Sequence, residues 1–219
     1  MHENAEGPID AMSDKPPEEP AVGPKLLVNL GSGPRGQMRL PGLFADWREL
    51  RVDADPQVAP DLVADMVDLS AIETGSVDAA WASHCIEHLY LHQAGQAVRE
   101  IHRILRDDGF FCAIVPDLQA IARYIAEDRL HEVIYRSPAG PVTAHDMLYG
   151  FGAFIASGRP MMGHRCGFTP TLLLNTLREA PFAEIVMRRR TTHEIAAVAC
   201  KSPTGGEAQR ESLLTALGF

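Results

Sequence analysis

A seven-stranded, doubly wound α/β sheet, mostly parallel with an antiparallel last strand, is the fold this sequence predicts. Three observations carry the prediction. An apolar run, Leu26 to Leu30, interrupted only by Asn29, ends in the turn Gly31-Ser32-Gly33, as a strand buried on both faces does when it feeds a loop. Further short apolar runs then alternate with helical stretches and turns, as successive β-α units require. Finally, only Thr191-Thr192 separates the last two apolar runs. So short a link cannot cross over to a parallel strand, so the final strand must turn back on its neighbour.

Taken in order, the strands are expected at Leu26 to Leu30, Leu50 to Asp53, Leu62 to Ala64, Ser76 to Ser83, Phe110 to Val115, Glu184 to Arg190 and His193 to Lys201. Residues 37–48 make a poor helix because Pro41-Gly42 interrupts them. His88 to Leu105 is a helix, with Leu89, Ala94, Ala97, Val98, Ile101, Ile104 and Leu105 at helical spacing. Asp107-Asp108-Gly109 stops it, Gly109 serving as a left-handed cap or turn residue. Asp117 is placed to cap the helix LQAIARYIAE, and Thr169 to Ala180 is a further helix. Residues 131–168 mix Pro, Gly, His and aromatic residues, with one short helix near Asp146 to Ala156. They are too irregular for a core and too apolar for a linker, which suits a segment covering a pocket.

Residues 1–24, acidic and proline-rich, are expected to be a disordered leader, 25–201 the folded domain with 117–168 as a lid or acceptor insertion, and 202–219 a tail. The end of that tail, ESLLTALGF, would either dock as a short helix or fray. A chain of 219 residues, 46% hydrophobic, can bury one sizeable core. It has no apolar run of membrane-spanning length and no basic-then-apolar start, so neither a membrane span nor secretion is expected. Cys85, Cys112, Cys166 and Cys200 form no CxxC pair, and Cys85, Cys112 and Cys200 lie in apolar runs, which suits reduced core thiols in a cytoplasm. The net charge of −9 disfavours nucleic acid as a partner. Oligomeric state is not legible.

The glycine turn is followed, twenty-two positions beyond Gly31, by Asp53 at the end of the second strand, where a carboxylate can accept from two ribose hydroxyls. A second acid, Asp65, follows the third strand, where an adenine amino group would need an acceptor. Gly31-x-Gly33-x-x-Gly36 also fits the dinucleotide fingerprint. That reading needs a regular helix directly after the turn to hold a pyrophosphate, and Pro41-Gly42 argues against one.

Four stretches together, VNLGSGPRG, ELRVDADP, SVDAAWASHCIEHL and REIHRILRDDGFFCAIVPD, resemble the class I S-adenosylmethionine-dependent methyltransferases. The resemblance implies a Rossmann-like methyltransferase fold with S-adenosyl-L-methionine as cofactor. It implies that Gly31, Ser32 and Gly33 pass the methionine part, Asp53 holds the ribose, and Ala54 packs on the adenine. Asp65 would accept from the adenine amino group, while Ser83 and His84 would line the sulfonium side. Asn29 stands where the family has an acid and would bond the cofactor's amino group through its oxygen. Arg35 stands where a third glycine is usual and would reach the cofactor's carboxylate. Trp81 reads as core. The activity implied is methyl transfer from that cofactor. The acidic charge and the 117–168 insertion point to a small-molecule or sugar-like acceptor, and an available histidine base, His164, to O-methylation, with Asp117 on the acceptor side because it follows the fifth strand. The alternative is a non-catalytic module of the same fold that senses the cofactor or binds a partner.

His84-Cys85-Ile86-Glu87-His88 is the densest chemistry in the chain. No metal is expected. If a helical turn runs through it, however, His84, Glu87 and His88 share a face at i, i+3 and i+4 and are competent ligands, with His145 or His164 as further ones. The segment is similar to the ExxEH metal segment of some methyltransferases of catechol-like rings or RNA ends, with His84 in place of the leading glutamate.

Overall fold

The apolar runs do form one central sheet. In the computed structural model, which describes residues 23–36 and 39–219, its strands are β1 (Leu26–Leu30), β2 (Arg48–Asp53), β3 (Leu62–Val63), β4 (Val77–Ser83), β5 (Leu105–Pro116), β8 (Glu184–Arg189) and β9 (Glu194–Cys200). They lie in the order β3-β2-β1-β4-β5-β9-β8. β1 to β5 are mutually parallel, whereas β9 runs antiparallel to both β5 and β8. Turn residues Thr191-Thr192 do what their number requires. The expected disordered leader falls almost wholly outside the described residues.

Strand pleating sends alternate side chains to opposite faces, and both faces are buried. Val28, Leu30, Ala80, Ala82, Phe111, Ala113, Ile195 and Ala197 face one core. Against them packs α1 (Leu91–Ile104) through Ala94, Ala97, Val98 and Ile101, and α5 (Pro170–Leu177) through Leu173 and Leu177. Leu27, Ala79, Trp81, Cys112, Ala196 and Val198 face the other core. No full helix follows β1 there among the described residues. A single 3₁₀ turn, Gly42–Phe44, puts Phe44 edge-on to Trp47 and Trp81, and α6 (Glu207–Ala216) adds Leu214, with Leu217 just after it. The tail helix docks, and Trp81 is core.

Two expectations about this frame are corrected. α1 passes straight into β5 at Leu105, and Gly109 lies within that strand with no positive φ. A Cβ on Gly109 would stand 3.0 Å from the Arg106 carbonyl oxygen and 3.1 Å from that of Asp78, where the β4–β5 register shifts. Close approach to the neighbouring strand, not a left-handed turn, is what glycine serves there. Residues 131–168 contain more order than expected: a hairpin of β6 (Val133–Ser137) and β7 (Gly140–Thr143), then α3 (Ala144–Tyr149) and α4 (Gly152–Ala156). Gly150, at φ +97°, splits the expected single helix into these two. The segment builds a small core of its own from Ile121, Val142, Ala144 and Met147, joined to α2 (Leu118–Ala126).

Candidate functional site

Strand order reverses direction around β1, whose neighbours β2 and β4 leave it on opposite sides. Ligands of open α/β sheets bind beyond the carboxyl ends of the strands at such a point. Here the loops after β1, β2 and β4 part around a cavity of about 700 Å³. Gly31, Ser32 and Gly33 form one wall; Asp53, Ala54 and Asp65 a second; Ser83, His84, Cys85 and His88 a third. Val58, Met66 and Leu89 supply apolar surface, and the 131–168 segment closes the top with Pro138, Phe154, Arg159, Met161, Met162 and Arg165.

The glycine turn is tied down by two side chains of β2, Asp53 and Arg51. Asp53 Oδ2 accepts from the Gly33 amide at 2.9 Å and Oδ1 accepts from the Asp55 amide at 2.9 Å. Each oxygen keeps a free lone pair on the cavity rim. Gly31 and Gly33 both sit at positive φ, +64° and +59°. A Cβ on Gly31 would lie 2.2 Å from Cys85 Sγ, whereas one on Gly33 would meet nothing within 4 Å. The space over Gly33 is therefore open cavity, and the turn brings bare backbone to its edge.

Arg51 completes the turn, and sequence reasoning missed it. Nearly fully buried, it donates through Nη1 to the Ala59 carbonyl at 2.8 Å and through Nη2 to the Gly33 carbonyl. It thus joins the loop after β1 to the loop after β2. A lone arginine inside the apolar strand Leu50 to Asp53 is the signal that could have found it. Arg35 does not reach the cavity: it bonds Asp61 Oδ1 at 2.9 Å on the surface. Asn29 is buried beneath the wall and donates to Glu49 Oε1 at 2.8 Å, leaving its own Oδ1 without a partner among the described residues.

Beyond β4 the chain takes a 3₁₀ turn (Ile86–His88), and His84 adopts the left-handed conformation at φ +52°. Such strain in a non-glycine residue persists only where surrounding contacts over-determine it. Its Nε2 bonds Glu194 Oε1 at 2.7 Å, while Nδ1 stands 3.4 Å from Glu87 Oε1. Burial alone would depress the imidazolium; Glu194 and then Glu87 outweigh it and push the pKa up to about 10. Burial likewise works to raise Glu87 and Glu194, and His84 holds both below the usual carboxylate range. His84 is thus a paired cation in the cavity wall.

The two acceptor-side candidates do not line the cavity. Asp117 is 2% exposed, and its Oδ1 caps α2 by accepting from the Gln119 and Ala120 amides. Oδ2 pairs with Arg189 Nε at 2.9 Å. His164 lies behind His88, with the rings 4.9 Å apart and His164 Nε2 3.9 Å from Glu87 Oε1; burial lowers its pKa. The turn therefore groups Glu87, His88 and His164, a ligating atom of each within 4.8 Å of the others, while His84 is engaged by Glu194. His145 stacks elsewhere, on His131 and Tyr149.

The fold and the placement of the cavity define a Rossmann-like α/β protein that takes its ligand at the sheet's carboxyl edge. Residues 44–113 match the family model described as a methyltransferase domain. The resemblance to the class I S-adenosylmethionine-dependent methyltransferase superfamily is borne out by that match and by the fold. A search of curated proteins finds no match to this chain. Among solved structures, a Pyrococcus horikoshii protein is similar at 15% identity and TM-score 0.55, over 81% of this chain and 82% of that one. An Archaeoglobus fulgidus SAM-dependent methyltransferase aligns at 12% identity and TM-score 0.52, over 81% and 86%. A Thermotoga maritima possible histamine N-methyltransferase aligns at 14% and 0.50, over 83% and 84%. At these identities the likeness is one of fold.

The cavity fits an adenosyl cofactor on its own features. It has a carboxylate on the rim at the end of β2, open space over a positive-φ glycine, and a buried Ser32 Oγ without a partner among the described residues. Its size lies within the range of ordinary ligand sites.

Proposed function

We propose that this protein is an S-adenosylmethionine-dependent methyltransferase acting on a small-molecule or sugar-like acceptor by O-methylation. The observation that carries the reading is the Asp53 carboxylate, fixed on the rim by two amides beside the open space over Gly33. In this reading Asp53 takes the ribose hydroxyls, Ala54 and Val58 flank the adenine, and Asp65 accepts from its amino group. Gly31, Ser32 and Gly33 pass the methionine portion, and Ser83 and His84 face the sulfonium. When bound, the cofactor supplies an already activated methyl group, so the chain's task is chiefly to align an in-line transfer and exclude water. Closure by Phe154, Met161 and Met162 serves the second purpose.

No base role is assigned to Asp117, whose oxygens are engaged by the α2 amides and Arg189. His88, whose Nδ1 faces the Gly163 carbonyl, is the imidazole of the wall that an acceptor hydroxyl would meet. The negative net charge favours a small acceptor over nucleic acid. Absence of a free carboxylate base from the acceptor side, among the described residues, also suits a module that holds the cofactor without transferring its methyl group. Radiolabelled S-adenosylmethionine with a panel of hydroxylated small molecules distinguishes the two. Transfer to any of them supports the enzyme, whereas tight cofactor binding without transfer across the panel favours the module.

A further inference from the structure

Two segments distant in sequence meet behind the cavity wall. The turn after β4 brings Glu87 and His88, and the lid brings His164. Their backbones are laced together: the Arg165 and Cys166 amides donate to the Glu87 carbonyl at 2.9 and 3.2 Å. Glu87 is fully buried, and neither of its carboxylate oxygens has a hydrogen-bond partner among the described residues. Burying a carboxylate without such partners is costly unless something else completes its surroundings. Apart from the two rings, its close polar neighbour is the His84 cation, whose Nδ1 stands 3.4 Å from Oε1 and offsets part of the charge, the shorter bond of that ring going to Glu194.

Each ring has its Nδ1 against a backbone carbonyl. His88 Nδ1 faces the Gly163 carbonyl at 3.2 Å, and His164 Nδ1 faces the Met147 carbonyl at 3.1 Å. A nitrogen bonded to a carbonyl oxygen carries the proton, which leaves the Nε2 lone pair of each ring available. Backbone partners of this kind hold metal-binding histidines in their ligating tautomer. With one ligating atom of each residue within 4.8 Å of the others, a small inward shift brings all three to coordination distance.

We propose that Glu87, His88 and His164 bind a divalent transition-metal ion of the zinc class. Two imidazoles and a carboxylate suit zinc or iron and do not suit magnesium, which prefers an all-oxygen shell. Three protein ligands leave a position for water or an acceptor oxygen, and His88 puts that position at the cavity wall. The ion also staples the lid, through His164, to the turn below the cofactor site.

The test is metal binding by the full chain after chelator treatment, without cofactor, so that it is independent of the methyltransferase reading. Calorimetry with Zn²⁺ and absorption with Co²⁺ should give one equivalent and a raised Tm, and Mg²⁺ neither. His88→Ala and His164→Ala should each weaken binding by at least the ~10–100-fold that lesser, outer-shell changes cause. Glu87→Gln, which keeps the side chain's shape, should do the same, and His92→Ala on the exposed face of α1 should bind as wild type does. No uptake of Zn²⁺ or Co²⁺ by the wild-type chain overturns the proposal, as does uptake undiminished in the His88 and His164 variants. A chain that still binds S-adenosylhomocysteine while refusing metal would sink this proposal alone.

Discussion

A methyl group added at Gly31 and, separately, at Gly33 should divide folding from ligand binding within one turn. Both glycines lie in the left-handed region, at φ +64° and +59°. Any L-residue there costs about 1–2 kcal/mol. At Gly33 little else is lost, because a built Cβ has nothing within 4 Å. For a chain of this length, about 2–4 °C of Tm follows each kcal/mol, so Gly33→Ala should melt about 2–8 °C below wild type. At Gly31 the Cβ would fall 2.2 Å from Cys85 Sγ and 2.9 Å from Cys85 Cβ, so backbone must move. Overpacking adds about 1–3 kcal/mol, for a total of about 2–5 kcal/mol and a Tm lower by about 4–20 °C. The double variant Gly31→Ala/Cys85→Gly removes both contacts and should recover the overpacking share. Scanning calorimetry measures folding, and titration with S-adenosylhomocysteine measures binding. Gly33→Ala should keep its fold and lose at least about tenfold in affinity, about 1.4 kcal/mol, because its methyl group occupies the cradle. Unchanged affinity in Gly33→Ala, or a wild-type Tm in Gly31→Ala, would refute the reasoning.

Further outcomes follow from the His84 pairing and from the Asp117 cap. His84→Ala takes from the buried Glu87 and Glu194 carboxylates the cation they share, leaving Glu194 with Arg190 at 3.6 Å, and should cost about 2–4 kcal/mol, discounted from the ~3–5 kcal/mol of breaking a buried pair because His84 is one-third exposed. The folded pKa of His84, about 10, lies above its ordinary 6.5, so its stabilisation is complete below about pH 6.5 and lost as pH rises through about 10. Thermal melts from pH 6 to 10.5 should fall for wild type and stay flatter for His84→Ala; parallel curves would contradict the pairing. Asp117→Ala removes the α2 cap and should cost about 0.5–2 kcal/mol, with Asp117→Asn recovering most of it; a Tm within about 1 °C of wild type would show that the cap does not matter.

Local chemistry makes much of the frame legible in the sequence. Leu26–Leu30 is legible to the residue because Lys25 and Gly31 bound a run, apolar but for Asn29, that is buried on both faces. The antiparallel β9 follows from the length of one link, Thr191-Thr192, which is a steric argument and not a statistical one. Gly31, Ser32, Gly33, Asp53, Ala54, Asp65, Ser83 and His84 do share one cavity, because each lies at or just past the carboxyl end of a parallel strand. What stays hidden depends on contacts between distant residues. Gly109 looks like a helix stop locally, yet its need for glycine comes from the Asp78 carbonyl across the sheet. The β6–β7 hairpin is masked by the Pro138-Ala139 turn between two short strands of mixed composition. The pairing of His164 with Glu87 spans 77 positions and is created only by the 131–168 segment folding back onto the turn after β4. Arg35 and Arg51 exchange their expected importance, since the buried one binds carbonyls that no sequence pattern announces.

The central claim is that an adenosyl group is held by the acid at the end of β2, and calorimetric titration of wild type and Asp53→Ala with S-adenosylhomocysteine addresses it most directly. Wild type should bind one equivalent. Losing two charge-assisted hydrogen bonds of about 1.5–3 kcal/mol each, and the tether on the Gly33 amide, should weaken Asp53→Ala by about a hundredfold or more. Equal affinity in the two proteins, or no binding to wild type, would contradict it.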